Sequence, residues 1–212
     1  FVADDHTVVR HGLKLILETQ SDFTIVGEAD NGRDALAQVG QSCPDIVIMD
    51  IAMPDLNGIE AARLIRDVCP ATQIILLTMH SPTNLIIRAI QAGVKGYLLK
   101  GVASSELITA VHTVYSNQRY LDKKIVKQLG SKALDKPEAQ GITDPLDKLS
   151  SREREVLQLV VEGRSSAEIA EKLSLSIKTI ETYRHRLMRK LDINDIPSLV
   201  KFAIRHRLTP LE

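Results

Sequence analysis

Short apolar runs of strand length alternate with segments of helical periodicity from Phe1 to about residue 118. The run over residues 73–78 is almost entirely apolar, as expected of a strand that helices cover on both faces. Five such strand–helix pairs predict an α/β fold with a doubly wound, five-stranded parallel sheet. In a sheet of this kind the carboxyl ends of the strands meet at one edge, so residues that follow the strands are the first candidates for a binding site.

The alternation stops near Tyr120, and a different pattern begins at Leu149. Residues 132–145 contain two prolines, a glycine and charges of both signs, which is typical of a linker. A short helix is predicted before it, over residues 122–129. From Leu149 to about residue 208 only helical periodicity is present, and we predict four helices there. The chain therefore divides into a sheet domain over 1–119, a linker over 120–146 and a separate all-α domain over 147–212.

Composition and charge narrow the partners of the two domains. The net charge of the 212 residues is zero, but residues 1–120 carry 9 basic and 13 acidic side chains, whereas residues 146–212 carry 13 and 10. A net negative charge in the N-terminal part and a net positive charge in the C-terminal part indicate two domains with different partners. Aromatic residues make up only 3% of the chain and Trp is absent, which argues against stacking platforms for single-stranded nucleic acid.

Several features bear on where the protein works. Cys43 and Cys69 are too few for a disulfide framework, and we expect free thiols in a reducing cytoplasm. No apolar run approaches the ~20 residues of a membrane span, and the start of the chain is not a signal peptide. Phe1 begins inside the first apolar run, so we expect native residues before it. These features predict a cytoplasmic protein with no membrane partner.

Polar side chains follow four strands of the predicted sheet, namely Asp4 and Asp5, Asp50, Thr78 and Lys100. Crowded carboxylates repel one another unless a cation joins them, and Mg²⁺, a hard ion that prefers oxygen ligands, suits such a site. Lys100 can bind a phosphate oxygen as a point charge, and Thr78 offers a hydroxyl to the same group. The set is suited to placing a phosphoryl group on a carboxylate. Any one of these residues alone is more often a turn former or a helix cap.

The first domain resembles the receiver domain of two-component response regulators, whose sheet is flavodoxin-like. The resemblance covers about residues 1–119 and rests on Asp4-Asp5, Asp50 followed by Met53-Pro54 and Gly58, Thr78, Tyr97 and Lys100. It implies that Asp50 is the phosphoacceptor. It also implies that Thr78 and Lys100 bind the phosphoryl group.

The same resemblance implies that Mg²⁺ is the cofactor. Asp5, Asp50 and the backbone carbonyl of Ala52 would be direct ligands, and Asp4 would act through a coordinated water. Tyr97 would be the switch residue that changes rotamer together with the phosphoryl-binding threonine. A plain core aromatic is the alternative interpretation of Tyr97.

Two positions depart from the common receiver pattern. Lys100 is followed by Gly101, where many receivers have a proline with a cis peptide bond. Because a cis bond before a non-proline residue costs ~2.5–4 kcal/mol, we expect this loop to differ. Met79 occupies a position that is often small in receivers, and we expect it to narrow access to Asp50.

The basic end of the chain contains two successive helices with apolar inner faces, separated by the turn Ser174-Leu175-Ser176. The outer face of the second helix carries polar and basic residues. A helix placed this way fits the major groove of double-stranded DNA, with basic residues farther along suited to phosphates. Charged faces of this kind also occur on helices that are merely solvated, so composition alone leaves both interpretations open.

Over about residues 147–208 the chain is similar to the LuxR-type helix-turn-helix, on the stretches 149–157, 168–170 and 178–182. A receiver followed by this module is the arrangement of the NarL/FixJ family of transcriptional regulators. Carried over by position, the candidate base readers are Glu181, Thr182 and His185, and the candidate phosphate contacts are Lys178, Thr179, Arg186 and Arg189. The resemblance also implies that the fourth helix helps two copies dimerise on DNA; packing within one protomer is the alternative.

Together these features predict a response regulator transcription factor. Phosphorylation of Asp50 by a sensor histidine kinase is expected to control homodimerisation and binding to promoter DNA, with RNA polymerase as a further candidate partner. We do not expect an enzyme beyond self-phosphoryl transfer and slow autodephosphorylation. A Mg²⁺-dependent aspartyl phosphohydrolase commonly carries a second acid two residues after its nucleophile, where this chain has Ala52. A DNA-binding regulator that is independent of phosphorylation is the other alternative.

Overall fold

The computed structural model of the chain describes residues 1–79, 82–129 and 144–208. Most of the predicted linker, residues 130–143, lies outside the described residues. Within them, six strands form one parallel sheet in the order β2-β1-β3-β4-β5-β6. The strands are β1 (Val2–Ala3), β2 (Glu28–Ala29), β3 (Ile46–Asp50), β4 (Gln73–Thr78), β5 (Gly96–Leu99) and β6 (Tyr120–Leu121).

The predicted doubly wound parallel sheet is confirmed, with one strand more than the five expected. The additional strand, β6, pairs with β5 through Gly96 and Tyr97 and takes up the first two residues of the predicted linker. A two-residue strand at the edge of a sheet carries too short an apolar run to be recognised by its pattern. The short helix expected after it is present as α6 (Lys123–Leu129).

Helices cover both faces of the sheet, because the side chains of each strand alternate between its two faces. On β3, Val47 and Met49 pack in one apolar cluster, and Ile48 packs in the other. The first cluster lies under α2 (Gly32–Ser42), α3 (Gly58–Val68) and α4 (Thr83–Gln91). The second lies under α1 (Thr7–Glu18) and α5 (Ser104–Tyr115). The strand ends that carry the candidate site are therefore held by two separate apolar layers.

The loop after β3 is held close to the strand by Gly58. The backbone N–H of Gly58 donates to the carbonyl oxygen of Ile51 over 2.9 Å. A Cβ atom at Gly58 would lie 2.1 Å from the carbonyl oxygen of Asp50, so no larger residue fits without a shift. Asn57 caps α3 by accepting from the backbone N–H groups of Ile59 and Glu60. These contacts place loop 51–57 directly beside the candidate phosphoacceptor.

Residues 144–208 fold into a helical domain with its own apolar core. A 3₁₀ turn (Pro145–Lys148) precedes four helices, α7 (Ser151–Val161), α8 (Ser166–Leu173), α9 (Ile177–Leu191) and α10 (Ile196–Arg205). Capping boxes of Ser150 with Glu153 and of Ser165 with Glu168 begin α7 and α8. Among the described residues, no helix has the length and apolar character to cross a membrane.

A disulfide joins Cys43 and Cys69, so the expectation of free thiols was wrong. Cys43 ends α2 in the left-handed conformation and Cys69 ends α3, and the two Cα atoms are 5.5 Å apart. The packing of α2 against α3 brings these helix ends together. A count of cysteines cannot reveal that contact, because it depends on tertiary packing.

The disulfide yields a prediction about stability. Since the cysteines are 26 residues apart, the chain-entropy model gives a stabilisation of roughly 3.5 kcal/mol. The paired substitution Cys43→Ser and Cys69→Ala is expected to lower the free energy of unfolding by that order, measured by urea denaturation. Dithiothreitol should lower the unfolding midpoint of the unsubstituted chain to that of the variant and leave the variant unchanged. Equal midpoints for the unsubstituted chain with and without dithiothreitol would contradict the disulfide in solution.

Candidate functional site

Three buried charged side chains meet at the carboxyl edge of the sheet. The ammonium Nζ of Lys100 lies 2.8 Å from Oδ2 of Asp50 and 2.8 Å from Oδ2 of Asp4. Asp4 is 0% exposed and Asp50 is 2% exposed. These residues follow β1, β3 and β5, so the sheet brings together groups that are far apart in the sequence. Lys100 bridges the two carboxylates.

Burial and charge act in opposite directions at this site. Burial raises the pKa of the Asp50 carboxyl above its ordinary value, although the hydrogen bond and the charge of Lys100 lower it. At Lys100, burial lowers the pKa, but the hydrogen bonds to Asp4 and Asp50 and the negative charges of these carboxylates together raise the pKa overall. Lys100 therefore remains an ammonium near neutral pH and supplies positive charge to the two carboxylates.

The donor set fits a divalent cation. Ligand atoms of Asp4, Asp5, His6 and Asp50 all lie within 4.8 Å of one another. Three carboxylates beside one ammonium leave excess negative charge, and carboxylate oxygens are the ligands that Mg²⁺ prefers. Ala52, whose carbonyl is a predicted ligand, is half-buried in loop 51–57 beside them.

His6 also belongs to this cluster, although its sequence context favours a surface residue over a ligand. Its ring Nδ1 lies 2.7 Å from Oδ1 of Asp5 and 3.3 Å from Oδ1 of Asp4. The side chain is 65% exposed, which agrees with a surface position. Its place directly after two candidate ligands was the available signal, but a histidine at the start of a helix is too common a feature to carry an assignment alone.

Thr78 and Tyr97 lie on neighbouring strands beside the acidic cluster. Thr78 ends β4 and is 6% exposed, and Tyr97 in β5 is 1% exposed. Burial raises the pKa of the Tyr97 phenol well above its usual value, while a hydrogen bond with the Thr78 side chain and the positive charge of Arg207 act to lower it. Tyr97 thus occupies an inward position, in contact with the predicted phosphoryl-binding threonine.

The structure describes both positions that depart from the receiver pattern. The peptide bond between Lys100 and Gly101 is trans, and Gly101 has a φ of 90°, which favours glycine. Met79 is 69% exposed. The effect of Met79 on access to Asp50 stays a prediction.

Loop 51–57 is also part of a contact between the two domains, which the sequence did not indicate. Gln158 of α7 is 0% exposed and uses both ends of its amide on this loop. Its Oε1 accepts from the backbone N–H of Asn57 over 2.8 Å and from Asn57 Nδ2 over 3.0 Å. Its Nε2 donates to the carbonyl oxygen of Met53 over 3.0 Å. The loop that follows Asp50 is thereby held by the helical domain.

Ion pairs surround this contact. Glu60 of α3, 2% exposed, accepts from Arg154 of α7 over 3.2 Å and from Arg88 of α4 over 3.4 Å. Arg88 Nη1 also donates to the carbonyl oxygen of His206, just past α10, over 3.1 Å. Further pairs join the domains on either side: Arg33 with Glu155, Lys172 with Asp55 and Arg88 with Asp144. The first domain therefore contacts α7, α8 and the end of α10.

The outer face of α9 remains open in this arrangement. Most of the predicted DNA contacts are exposed, namely Lys178, Glu181, Thr182, His185, Arg186 and Arg189. Thr179 is half-buried, and its hydroxyl lies 2.8 Å from that of Ser176, the residue that caps the helix. The Thr182 hydroxyl donates to the carbonyl oxygen of Lys178 over 2.9 Å. The predicted reading face is thus presented to solvent.

Comparison with protein families agrees with both halves of this structure. Residues 1–112 match the response regulator receiver domain, and residues 147–203 match the bacterial regulatory proteins of the luxR family. The chain belongs to the NarL/FixJ family of response regulators. It therefore combines a receiver domain with a LuxR-type DNA-binding domain.

Relatives of this response regulator match it over nearly its whole length. It is 39% identical to the response regulator UvrY of Escherichia coli K12 over 211 residues, which cover 100% of this chain and 95% of that protein. It is 38% identical to the oxygen regulatory protein NreC of Staphylococcus carnosus, covering 98% and 97%. Among solved structures, the RcsB response regulator of Salmonella typhimurium is 26% identical with a TM-score of 0.58, covering 96% and 97%. A structure of an RcsB–DNA complex is 28% identical with a TM-score of 0.56, covering 96% of each chain.

The buried cluster yields a prediction about stability. Lys100→Met keeps a side chain of similar length but leaves Asp4 and Asp50 without their counter-charge. We expect the free energy of unfolding to fall by roughly 3 kcal/mol, measured by urea denaturation in EDTA. Adding Asp50→Asn should restore much of the lost stability, because it removes one of the two negative charges that repel each other.

Lys123→Met, at an exposed position of α6, is the matched control and should change the stability by less than about 0.5 kcal/mol. If Lys100→Met were as stable as this control, the lysine would not be holding the two carboxylates together.

Proposed function

We propose that this response regulator is a transcription factor whose binding to double-stranded DNA is controlled by phosphoryl transfer to Asp50. The observation that carries the proposal is the buried cluster in which Lys100 bridges Asp4 and Asp50. A sensor histidine kinase, or a small phosphodonor, would supply the phosphoryl group. Asp50 would provide the attacking carboxylate oxygen.

The residues around Asp50 have complementary roles in this proposal. Lys100 would turn from the carboxylates to a phosphoryl oxygen, and Thr78 would donate its hydroxyl to another. Asp5, Asp50 and the Ala52 carbonyl would hold Mg²⁺, which would neutralise charge on the donor and on the product. Asp4 would act through a coordinated water. Tyr97, already inward and next to Thr78, would follow the movement of the threonine.

We infer that the protein is a switch and not a turnover enzyme. The second residue after Asp50 is Ala52, which offers no side-chain acid or base to a departing product or an attacking water. Self-phosphoryl transfer and slow autodephosphorylation are the chemistry left to such a site. Multiple turnover of a phosphate ester would contradict this inference.

The open face of α9 supports the DNA-binding part of the proposal. Its exposed basic residues Arg186 and Arg189 suit phosphates, and its first turns would enter the major groove. The related RcsB is known in a complex with DNA, and as two dimers bound to two parallel DNAs. We propose that this protein likewise acts on promoter DNA as a homodimer, in the cytoplasm, with RNA polymerase as a candidate further partner.

The contact between the domains suggests how phosphorylation would act. The backbone N–H of Ile51 donates to Oδ1 of Asp50 over 2.8 Å, so loop 51–57 is joined to the phosphoacceptor at one end. Farther along, at Met53 and at Asn57, the loop is held by Gln158. A phosphoryl group on Asp50 would change the loop and weaken its fit to Gln158. The helical domain would then be released to pair with that of a second copy.

The phosphorylation step is tested with a beryllofluoride mimic. Adding beryllofluoride and Mg²⁺ to the full chain is expected to raise its mass in solution to that of a dimer and to raise its DNA affinity by at least tenfold, about 1.4 kcal/mol. Mass would be measured by light scattering, and affinity by fluorescence anisotropy on DNA chosen by selection. Asp50→Asn is the control and should show neither change. DNA affinity that is indifferent to the mimic would favour a regulator that is independent of phosphorylation.

The domain contact is tested with Gln158→Leu. The substitution keeps the volume but leaves the Met53 carbonyl and the Asn57 N–H buried without partners, a loss of about 1–3 kcal/mol per group. The chain without phosphodonor should expand in small-angle X-ray scattering, and its mass and DNA affinity should shift toward those of the beryllofluoride-treated protein.

Gln118→Ala, at an exposed position outside the contact, is the matched control and should behave as the unsubstituted chain. If Gln158→Leu expanded the chain without any shift in mass or DNA affinity, the contact would not be part of the control.

A further inference from the structure

Glu181, a candidate base reader, is held by two side chains within the helical domain. Oε1 of Glu181 accepts a short hydrogen bond from the hydroxyl of Ser166 and lies 3.3 Å from Nη1 of Arg184. Arg184 Nη1 in turn donates to the same Ser166 hydroxyl over 2.6 Å. The three side chains form a closed triangle between the start of α8 and the first half of α9, which we call the Glu181 triangle.

We propose that Arg184 is a specificity-positioning residue, which fixes the Glu181 carboxylate as a hydrogen-bond acceptor for a base that presents an amino group in the major groove. Cytosine N4 is the expected partner, because a carboxylate accepts from it. This inference rests on the proposed DNA-binding function. It adds a residue that was not among the predicted contacts and a role that does not require it to touch DNA.

The geometry leaves one carboxylate oxygen available for reading. Both contacts of the Glu181 triangle are made to Oε1, and within the described part of the chain no hydrogen bond or ion pair is made to Oε2. The side chain of Glu181 is 56% exposed, whereas that of Arg184 is 28% exposed. The glutamate is therefore directed outward, and the arginine lies behind it. A fixed acceptor with a free outer oxygen is what direct readout of an amino group needs.

Electrostatics require such a support for an acidic base reader. DNA carries one negative charge per ~1.7 Å of helix axis, so an unsupported carboxylate entering the groove is repelled. The guanidinium of Arg184 offsets this repulsion. Ser166 is the first residue of α8, where the helix dipole also favours a negative group. Ser165, the cap of α8, is already engaged by Glu168, which leaves the Ser166 hydroxyl for Glu181.

Pre-ordering gives a second reason for the triangle. A glutamate side chain has several rotamers, and fixing them costs free energy at the moment of binding. The Glu181 triangle already fixes the rotamer in the free protein, so this free energy is not lost on binding. More of the favourable free energy of the contact with the correct base then contributes to discrimination between bases. An exposed salt bridge of this kind contributes little to folding stability, so its loss should leave the fold intact.

The test measures base preference with the full chain. The beryllofluoride-treated protein is first used to select DNA from a random pool, and affinities are then measured on the selected site and on all its single-base variants. Glu181→Met, which removes the acceptor, should abolish a preference at one position that the unsubstituted chain holds by roughly 5- to 100-fold. Arg184→Met should weaken the preference at that same position by at least fivefold and leave the other positions unchanged. Arg184→Lys, which keeps the charge, should recover part of it.

Controls separate positioning from direct contact with DNA. The double variant Glu181→Met with Arg184→Met should be no less selective than Glu181→Met alone, because both substitutions act on one contact. Arg189→Met, at a predicted phosphate contact, should weaken binding equally for every base. Circular dichroism and the thermal midpoint of each variant should match those of the unsubstituted chain.

Two results would overturn the inference. Arg184→Met could instead weaken binding equally for every base and reduce the slope of log affinity against log salt concentration by about one. Arg184 would then itself contact a phosphate. If Glu181→Met removed a preference that Arg184→Met left intact, the triangle would have no role in reading. Failure of the unsubstituted, beryllofluoride-treated chain to select any DNA would instead remove the proposed function, and this inference with it.

Discussion

The ammonium of Lys100, placed between the carboxylates of Asp4 and Asp50, is the interaction on which the rest of the site depends. Buried carboxylates of like charge cannot remain ionised side by side without a cation, and a buried charge that loses its partner is strongly destabilising. One ammonium does not neutralise the three carboxylates that gather here. The excess negative charge favours a divalent cation and opposes the approach of a phosphate group that comes without one. The same electrostatic imbalance would therefore account both for the proposed Mg²⁺ and for the proposed phosphoryl transfer to Asp50.

The strand-end residues were predictable because each follows a run of apolar residues that only a covered strand explains. Parallel strands bring their carboxyl ends to one edge of the sheet. The proximity of Asp4, Asp50 and Lys100 can therefore be predicted from local sequence patterns alone. Other features depend on contacts that no local pattern encodes. The disulfide of Cys43 with Cys69 arises because α2 packs on α3. The buried amide of Gln158 was hidden for a different reason. It stands on the polar side of an amphipathic helix, which local periodicity assigns to solvent, but a second domain covers that side.

The domain contact is polar, and this determines how strong it can be. Glu60, Arg88 and Arg154 are almost fully buried, and both arginines pair with Glu60. The free energy needed to remove such charges from water is nearly as large as the free energy gained from their attraction. The ion pairs therefore determine the relative placement of the domains more than they stabilise it. Contacts between domains of one chain resemble transient interfaces, for which relative motion is the default. Such a contact adds little net stability but requires precise placement of its groups. A local change that displaces one of them is therefore enough to open it.

Loop 51–57 links the two halves of the molecule because it takes part in both sites. At its start Ile51 donates to the Asp50 carboxylate, and farther along Met53 and Asn57 are held by Gln158. Any ligand that prefers one conformation of this loop must bias the domain contact, and by linkage the domain contact must bias the affinity for that ligand by the same factor. The outer face of α9 is open while the contact is intact. In the proposed function, control would therefore act through the placement of the helical domain and through the freedom of two copies to pair. It would not act by covering the surface proposed to read DNA.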